Sequence, residues 1–164
     1  MKILVDADAC PVKNIILKIA KQYGIRVIML IDTSHRLNDG YSEIVTVDQA
    51  RDSVDFALIQ RTSPGDLVVT QDFGVAAMAL AKGARALNQN GLIFDDSNMD
   101  GLLYERHISQ KIRRSGGRTS NAPRRNRQDD ERFESAFRSL LTQAVPVPET
   151  GRNNRAKHPQ NNLG

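Results

Sequence analysis

The chain has 164 residues, 40% of them hydrophobic and 26% charged, with a formal net charge of +4. These proportions are typical of a soluble globular protein and exclude a fibrous or largely disordered chain. No apolar stretch approaches the roughly 20 residues needed to cross a bilayer, so we expect no membrane span. Acids interrupt the first apolar run before it reaches signal-peptide length, and the single cysteine, Cys10, cannot form an internal disulfide. We therefore expect a cytoplasmic protein.

Charge is distributed unevenly along the chain. Residues 1–110 contain 11 Lys or Arg against 14 Asp or Glu, whereas residues 111–164 contain 12 against five. Between Lys111 and Arg127 there are seven basic residues and no acidic one. An acidic body joined to a basic segment is a compositional indication of a nucleic-acid or other polyanionic partner.

The first third of the chain predicts a strand, a helix and a second strand. Residues 3–5 form a short apolar run that ends in acids, and Pro11 stands where a helix can begin, since its missing N–H would have no partner there. Apolar residues then recur at helical spacing until Gly24, a plausible stop. Residues 25–31 are continuous and branched, as in a buried parallel strand. A polar loop over 33–41 leads to a third strand at 43–47.

The remaining elements repeat this alternation. We predict a second helix over 49–61, a fourth strand over 67–70, a third helix over 75–82, and a fifth strand at 84–87 or 92–94. Helical patterns return over 99–112 and 129–143. The alternation predicts an α/β fold, a Rossmann-like three-layer sandwich with a mostly parallel sheet of four or five strands and a C-terminal helical and basic extension. One domain over 1–143, including the basic segment 111–127, would precede a disordered tail over 144–164.

Carboxylates follow the predicted strands. Asp6 and Asp8 stand at the end of the first strand, and Asp72 comes two residues after the last residue of the fourth. Asp52 and Asp55 are three residues apart on the second predicted helix and should share a face near its N-terminus. Since ligands of such sheets bind beyond the carboxyl ends of the strands, we expect four or five carboxylates to converge on one cleft.

So many like charges would repel each other unless a cation neutralised them. Oxygen ligands favour Mg²⁺ or Mn²⁺, and a metal with open positions can activate water against a phosphodiester. The competing interpretation is that Asp6 or Asp8 caps the first helix, that Asp72 caps the helix that follows it, and that Asp52 and Asp55 belong to a solvated face. Candidate substrate-binding residues are Thr70, His35, Arg113, Arg114 and Arg118.

Three segments also resemble a known family. The opening of residues 6–12, the segment 47–55 and the segment 65–74 resemble the bacterial YaiI/YqxD family, as do residues 82–84, 90–91 and 113–114. That family is similar to PIN-like domains, typically Mg²⁺- or Mn²⁺-dependent ribonucleases with clustered acids. The resemblance implies a nuclease that acts on RNA in preference to DNA, and a homodimer is a further expectation. In this comparison Asp6, Asp52 or Asp55, and Asp72 correspond to the family's acids.

Two other functions remain open at this point. A haloacid-dehalogenase-like phosphatase is similar in the order of its motifs: Asp6 as nucleophile, Asp8 as acid and base, then Thr70, Lys82 and Asp95–Asp96. Against it, Pro11 leaves little room for the loop that usually follows that nucleophile, and Asp52 and Asp55 would have no role. The third function is a non-catalytic RNA-binding or regulatory module, because a fold does not guarantee an activity.

Overall fold

The computed structural model describes residues 1–8, 10–50, 52–116 and 124–144. Its strands are β1 (Ile3–Asp6), β2 (Val27–Asp32), β3 (Glu43–Val47), β4 (Leu67–Val69), β5 (Arg85–Leu87) and β6 (Ile93–Phe94). Its helices are α1 (Lys13–Tyr23), α2 (Ser53–Arg61), α3 (Phe73–Ala81), α4 (Asp96–Arg114) and α5 (Arg127–Ala144). Among these helices, none has both the length and the apolar character of a membrane span.

The strands form one sheet in the order β3-β2-β1-β4-β5-β6, parallel except for β6. In register, Leu4 of β1 lies between Ile28 of β2 and Val68 of β4. The strand order reverses between β1 and β4, and in open α/β sheets this is where ligands bind, beyond the carboxyl ends of the strands. The topology therefore directs attention to the residues that follow these two strands.

Helices cover both faces of the sheet, because successive side chains of a strand point to opposite faces. Ile3 and Val5 of β1 pack with α1 and α5, whereas Leu4 packs with α2, α3 and α4. The buried residues of α5 are Phe133, Phe137, Leu140 and Leu141, which belong to the same core as β1 and α1. The predicted three-layer α/β sandwich with a C-terminal helix is confirmed.

Several predicted boundaries differ from the structure. The sheet has six strands because both candidates for a fifth strand form, joined by a turn in which Asn88 N–H donates to the Leu92 carbonyl at 2.9 Å. Helix α1 begins at Lys13, since Pro11 lies in a turn that precedes it. Gly24 ends α1 as predicted, with the left-handed φ of +62°. Helix α3 begins and ends earlier than predicted, at Phe73 and Ala81.

The bounds of the last two helices also differ from those predicted for the basic and C-terminal segments. Helix α4 extends through Arg114 into the basic segment, and α5 begins at Arg127, so both helices are longer than predicted. Ala144, predicted to start the tail, is the last residue of α5. The rest of that tail, residues 145–164, lies outside the described residues.

Candidate functional site

A chain of hydrogen bonds links the ends of β1 and β4. The buried Thr70 donates from Oγ1 to Oδ2 of Asp6 at 3.3 Å and accepts from the backbone N–H of Asp72 at 3.1 Å. Thr70 directly follows β4, and Asp6 is the last residue of the neighbouring β1. Two acids far apart in sequence therefore meet at the carboxyl edge of the sheet, where the strand order reverses.

Asp72 has a structural role in addition to its place in this cluster. Its Oδ1 accepts from the backbone N–H of Val75 at 3.0 Å and so caps α3, as the helix-cap interpretation predicts. Its Oδ2 accepts from Nη2 of Arg106 at 3.1 Å, and that guanidinium lies over the ring of Phe73. Burial acts to raise the pKa of Asp72, but the bonds from Val75 and Arg106 outweigh it and hold this pKa below its ordinary value.

Asp55 carries the clearest sign of charge crowding. It lies in the first turn of α2, a helix that packs against β1 and α3. Burial, followed by the negative charges of Asp72, Asp6 and Asp52, raises the pKa of Asp55 to about 6, while Arg106 opposes the rise. The pKa of Asp55 is therefore affected by acids at three other positions of the chain.

Burial likewise raises the pKa of Asp6. The hydrogen bond from Thr70 opposes this rise, and the charges of Asp8 and Asp72 add to it. We name Asp6, Asp55 and Asp72 the acidic cluster. Its members come from the end of a strand, the first turn of one helix and the cap of another.

Asp52 does not share a helix face with Asp55, contrary to the sequence expectation. It precedes α2 at the N-cap position with a left-handed φ of +60°, a conformation that Asp tolerates better than most residues. Residues 49–50 lie outside the helix, so the predicted helix over 49–61 starts four residues too early. The charge of Asp52 nevertheless acts on Asp55.

Asp8 belongs to a second group of side chains. Both of its carboxylate oxygens accept from the backbone N–H of Asp32 at 3.1 Å, which ties the loop after β1 to the end of β2. Nδ1 of His35 lies 3.0 Å from an oxygen of Asp8 and 3.0 Å from one of Asp32. Hydrogen bonds from Ser34 and His35 hold the pKa of Asp32 below its ordinary value.

The acidic cluster and the group of Asp8, Asp32 and His35 differ in how closely their potential metal-binding atoms lie together. In the described part of the chain, Asp8, Asp32 and His35 are the set whose potential metal-binding atoms all lie within 4.8 Å of one another. His35 already stands between those two carboxylates. The acidic cluster is more widely spaced, and burial followed by the neighbouring acids raises the pKa of Asp55 while Arg106 opposes the rise. Carboxylate oxygens are the ligands that a hard divalent cation prefers, so a Mg²⁺ or Mn²⁺ site at these acids stays a prediction.

The predicted arginines lie away from the acidic cluster. Arg113 and Arg114 occupy the last turn of α4, roughly 10 Å beyond Arg106 along the helix axis. Nε of Arg113 donates within its own helix, to the Ser109 carbonyl at 3.3 Å. Arg118 lies outside the described residues, as does much of the predicted basic segment 111–127.

The residues expected of a phosphatase are not assembled. Lys82 lies at the far end of α3 from Asp72 and donates from Nζ to the Ile59 carbonyl at 2.7 Å. Asp95 caps α4 by accepting from the backbone N–H groups of Ser97 and Asn98. These contacts give both residues structural roles away from Asp6.

Sequence reasoning missed Asp32 and Arg106. Asp32 ends β2 as Asp6 ends β1, but the strand was predicted to stop one residue earlier. A comparison of the acids that follow each strand would have found it. Arg106 is 34 residues from Asp72 in sequence, and nothing in its local sequence predicts the pairing.

The fold and this edge define a Rossmann-like α/β protein with clustered acids at the reversal of strand order. The model of the family described as "Uncharacterized BCR, YaiI/YqxD family" matches residues 4–143, and the chain belongs to that family. The resemblance found in the sequence motifs is confirmed.

Relatives with high identity span nearly the same length. A UPF0178 protein of Ruminiclostridium cellulolyticum is 67% identical over 137 residues, covering 84% of this chain and 90% of the relative. One from Alkaliphilus oremlandii is 57% identical over 134 residues, covering 82% of this chain and 86% of the relative. Among solved structures, that of Rae1 (YacP) from Bacillus subtilis is 18% identical with a TM-score of 0.38, covering 88% of this chain and 100% of the other. So remote a similarity has no bearing on the site or its chemistry.

Proposed function

We propose that the chain is a Mg²⁺- or Mn²⁺-dependent nuclease that hydrolyses phosphodiester bonds of RNA. The observation that carries the proposal is the acidic cluster, in which acids from three elements lie at one edge of the sheet and, with burial as the larger cause, raise the pKa of Asp55 to about 6. A carboxyl group in that condition is one that a bound cation would stabilise. The resemblance to PIN-like domains implies the same chemistry.

Each residue has a role in this proposal. Asp6, Asp55 and Asp72 would hold the cation, with Asp8 and Asp52 flanking them. A divalent cation held this way lowers the pKa of bound water and stabilises charge that develops on a phosphate. Thr70 fixes Asp6 relative to Asp72 through its two hydrogen bonds.

Cations of the protein would bind the nucleic acid. Arg106, whose side chain is 39% exposed, is placed to exchange Asp72 for a substrate phosphate. The last turn of α4 adds Lys111, Arg113 and Arg114, which would contact phosphates further along the strand. Contacts from Arg118 and His35, the preference for RNA, and a homodimer remain predictions.

The phosphatase alternative lacks comparable support. It needs a lysine beside Asp6, and Lys82 instead binds the Ile59 carbonyl at the other end of α3. A non-catalytic RNA-binding module would use the same surface without turnover. That function becomes an outcome of the experiment.

The experiment measures Mn²⁺ binding by calorimetry and cleavage of an end-labelled single-stranded RNA, beside DNA of the same sequence. Asp6→Asn and Asp55→Asn should each lose the calorimetric signal and slow cleavage by about 100-fold or more. Asp100→Asn, which changes an exposed acid of α4, is the matched control and should behave as wild type. Cleavage that needs no divalent cation, or that survives both cluster substitutions, would overturn the proposal. RNA binding without cleavage would support the module.

A further inference from the structure

A cavity of about 280 Å³ opens beside the acidic cluster, on the other side of Asp6. Its lining residues are Asp6, Cys10, Val69, Thr70, Gln71 and Gln89. Cys10 and Val69 belong to the core on the α1 and α5 face, whereas α2, α3 and α4, which carry the rest of the acidic cluster and Arg106, cover the opposite face. Asp6 therefore lies between the proposed metal site and this cavity.

The cavity lining includes a buried hydrogen-bonding atom, the side-chain amide oxygen of Gln89. Oε1 of Gln89 is buried and has no hydrogen-bond partner among the described residues. Nη2 of Arg125, a residue outside the cavity lining, is likewise buried without a partner among the described residues, and the charge of Arg125 acts on the thiol of Cys10. Buried polar atoms are usually paired, so the unpaired Oε1 of Gln89 in the lining indicates a place where a ligand completes the pairing.

The turn that carries Gln89 is held firmly. Asn88 Oδ1 accepts from the backbone N–H groups of Asn90 and Leu92 at 2.9 and 3.0 Å. Arg125 donates from Nη1 to Oδ1 of Asn90 at 3.2 Å. At Gly91, with a φ of +83°, an added Cβ would lie 2.7 Å from the carbonyl oxygen of Arg132 in α5. The backbone of Gln89 is thus fixed, while rotation of its terminal torsion can present either end of the amide to the cavity.

The chemistry of the walls favours a nucleobase over a phosphate. Asp6 would repel a second anion, whereas Val69 and Cys10 offer apolar contact to a flat ring. The volume lies just below the roughly 300–1,000 Å³ typical of small-molecule pockets, as suits a single base. A glutamine amide presents a donor beside an acceptor, which matches the paired acceptor and donor on an edge of adenine.

We propose that this cavity receives a nucleobase adjacent to the scissile phosphate, preferably adenine, with Gln89 forming the hydrogen bonds that select it. The inference rests on the proposed nuclease function, because it is that function which places a nucleotide at Asp6. It adds a specificity-determining residue and a substrate preference. Binding of the base alone requires neither metal nor cleavage.

The test titrates the full chain with 5′-AMP, adenosine, 5′-CMP and ribose 5-phosphate without metal, followed by NMR. We expect AMP and adenosine to bind, CMP to bind more weakly, and ribose 5-phosphate not to bind. Gln89→Leu should weaken AMP binding by about tenfold or more. Gln143→Leu is the matched control, since Gln143 lies with Met1 and Gly65 at the opposite edge of the sheet, and it should change binding less than about twofold.

A second variant distinguishes a loss of binding from a loss of folding. Gln89→Glu keeps the size of the side chain but loses its NH₂ donor, and it should reduce AMP binding while the dispersed NMR spectrum is retained. Binding of ribose 5-phosphate equal to that of AMP, absence of AMP binding, or equal losses in the Gln89 and Gln143 variants would each overturn the base pocket. So would cleavage whose base preference is unchanged in Gln89→Leu. AMP binding without metal-dependent cleavage would contradict the nuclease proposal and leave the base pocket intact.

Discussion

Asp66 at the amino edge of the sheet and Asp6 at the carboxyl edge are both shielded from water, but their pKa values shift in opposite directions. At the amino edge, Asp66 precedes β4 and its side chain is only 4% exposed. It accepts from the backbone N–H of Lys2 at 3.0 Å, from Nζ of Lys2 at 2.5 Å and from the backbone N–H of Ser63 at 2.9 Å. Burial acts to raise the pKa of Asp66, but these bonds outweigh it and hold the pKa below its ordinary value.

At the carboxyl edge the balance is reversed for Asp6 and Asp55, whereas Asp72 keeps a lowered pKa. Asp6 and Asp55 are partly buried, and their pKa values are raised because burial and neighbouring acids outweigh their few partners. Burial of an acid therefore does not indicate its role. The hydrogen bonds and charges that surround its carboxylate do. Asp66 is an architectural residue, whereas the acidic cluster brings three acids together with Arg106 bonded to one of them, Asp72.

The largest effect that separates the edges is expected at Asp66. Asp66→Ala should lower the free energy of unfolding by about 3 kcal/mol, because it leaves the ammonium of Lys2 and two backbone N–H groups without their acceptor. Denaturant unfolding measures this. The control is Glu43→Ala, which removes an exposed ion pair with Arg26 and should cost less than about 1 kcal/mol.

The pH dependence of Asp66 has a defined sign. A folded-state pKa below the unfolded value of 3.8 contributes stability that is complete above pH 3.8 and is lost as pH falls through the folded pKa. Wild type should show this loss in acid, and Asp66→Ala should lack that component. Equal losses for Asp66→Ala and Glu43→Ala would contradict the architectural role.

A smaller effect is expected at Thr70, which joins two acids at the carboxyl edge. Thr70→Val keeps the shape of the buried side chain but removes the donor to Asp6 and the acceptor of the Asp72 N–H, and should cost about 2 kcal/mol. Since the Thr70 bond opposes the raised pKa of Asp6, that pKa should rise further, as NMR titration can measure. An unchanged pKa of Asp6 would mean that the hydroxyl does not support the cluster.

Much of the fold could be predicted from local patterns. Gly24, the apolar run of β2 and the spacing of Phe133 and Phe137 indicated elements that the structure contains. The pairing of β5 with β6 could not be predicted, because it depends on a turn held against Arg132 of α5. The start of α2 was wrong because Asp52 adopts a left-handed backbone that the sequence does not indicate.

Part of the candidate site could be predicted from the sequence. Parallel strands end at one edge, so acids after β1 and β4 were expected to lie near each other, and Thr70 links Asp6 to Asp72. Which side chains bond to these acids could not be predicted, since Arg106 and His35 reach them through tertiary contacts. Whether these residues bind metal remains a prediction.

A gain in stability is expected at Asp55. Asp55→Asn should raise the free energy of unfolding at pH 7 by about 1 kcal/mol, less than the full pKa shift implies because water screens a partly exposed group. A folded pKa of about 6 against an unfolded 3.8 means that wild type loses stability as pH rises from about 4 to 6. The advantage of the variant should therefore be absent near pH 4 and complete above pH 6.

The response of Asp55→Asn to a divalent cation provides a second test of the same prediction. Mn²⁺ should raise the melting temperature of wild type, because it binds the folded state, and should raise that of Asp55→Asn much less. Asp100→Asn, an exposed acid of α4, should follow wild type with and without Mn²⁺. A loss of stability in Asp55→Asn at pH 7 would show that the charge of Asp55 is already compensated.

The smallest effect on stability is expected at Arg106, the cation that the acidic cluster already has. Arg106→Met removes the bond to Asp72 but retains an apolar stem over Phe73, and should cost about 0.5 kcal/mol at low salt and less at high salt. Arg106→Met should change the affinities for Mn²⁺ and for RNA in opposite directions. Mn²⁺ affinity should rise by about threefold because a competing cation is gone. RNA affinity should fall, because the guanidinium that would bind phosphate is also gone. A fall in both affinities would mean that Arg106 positions Asp72 for the metal, and a rise in both would mean that it only shields the cluster.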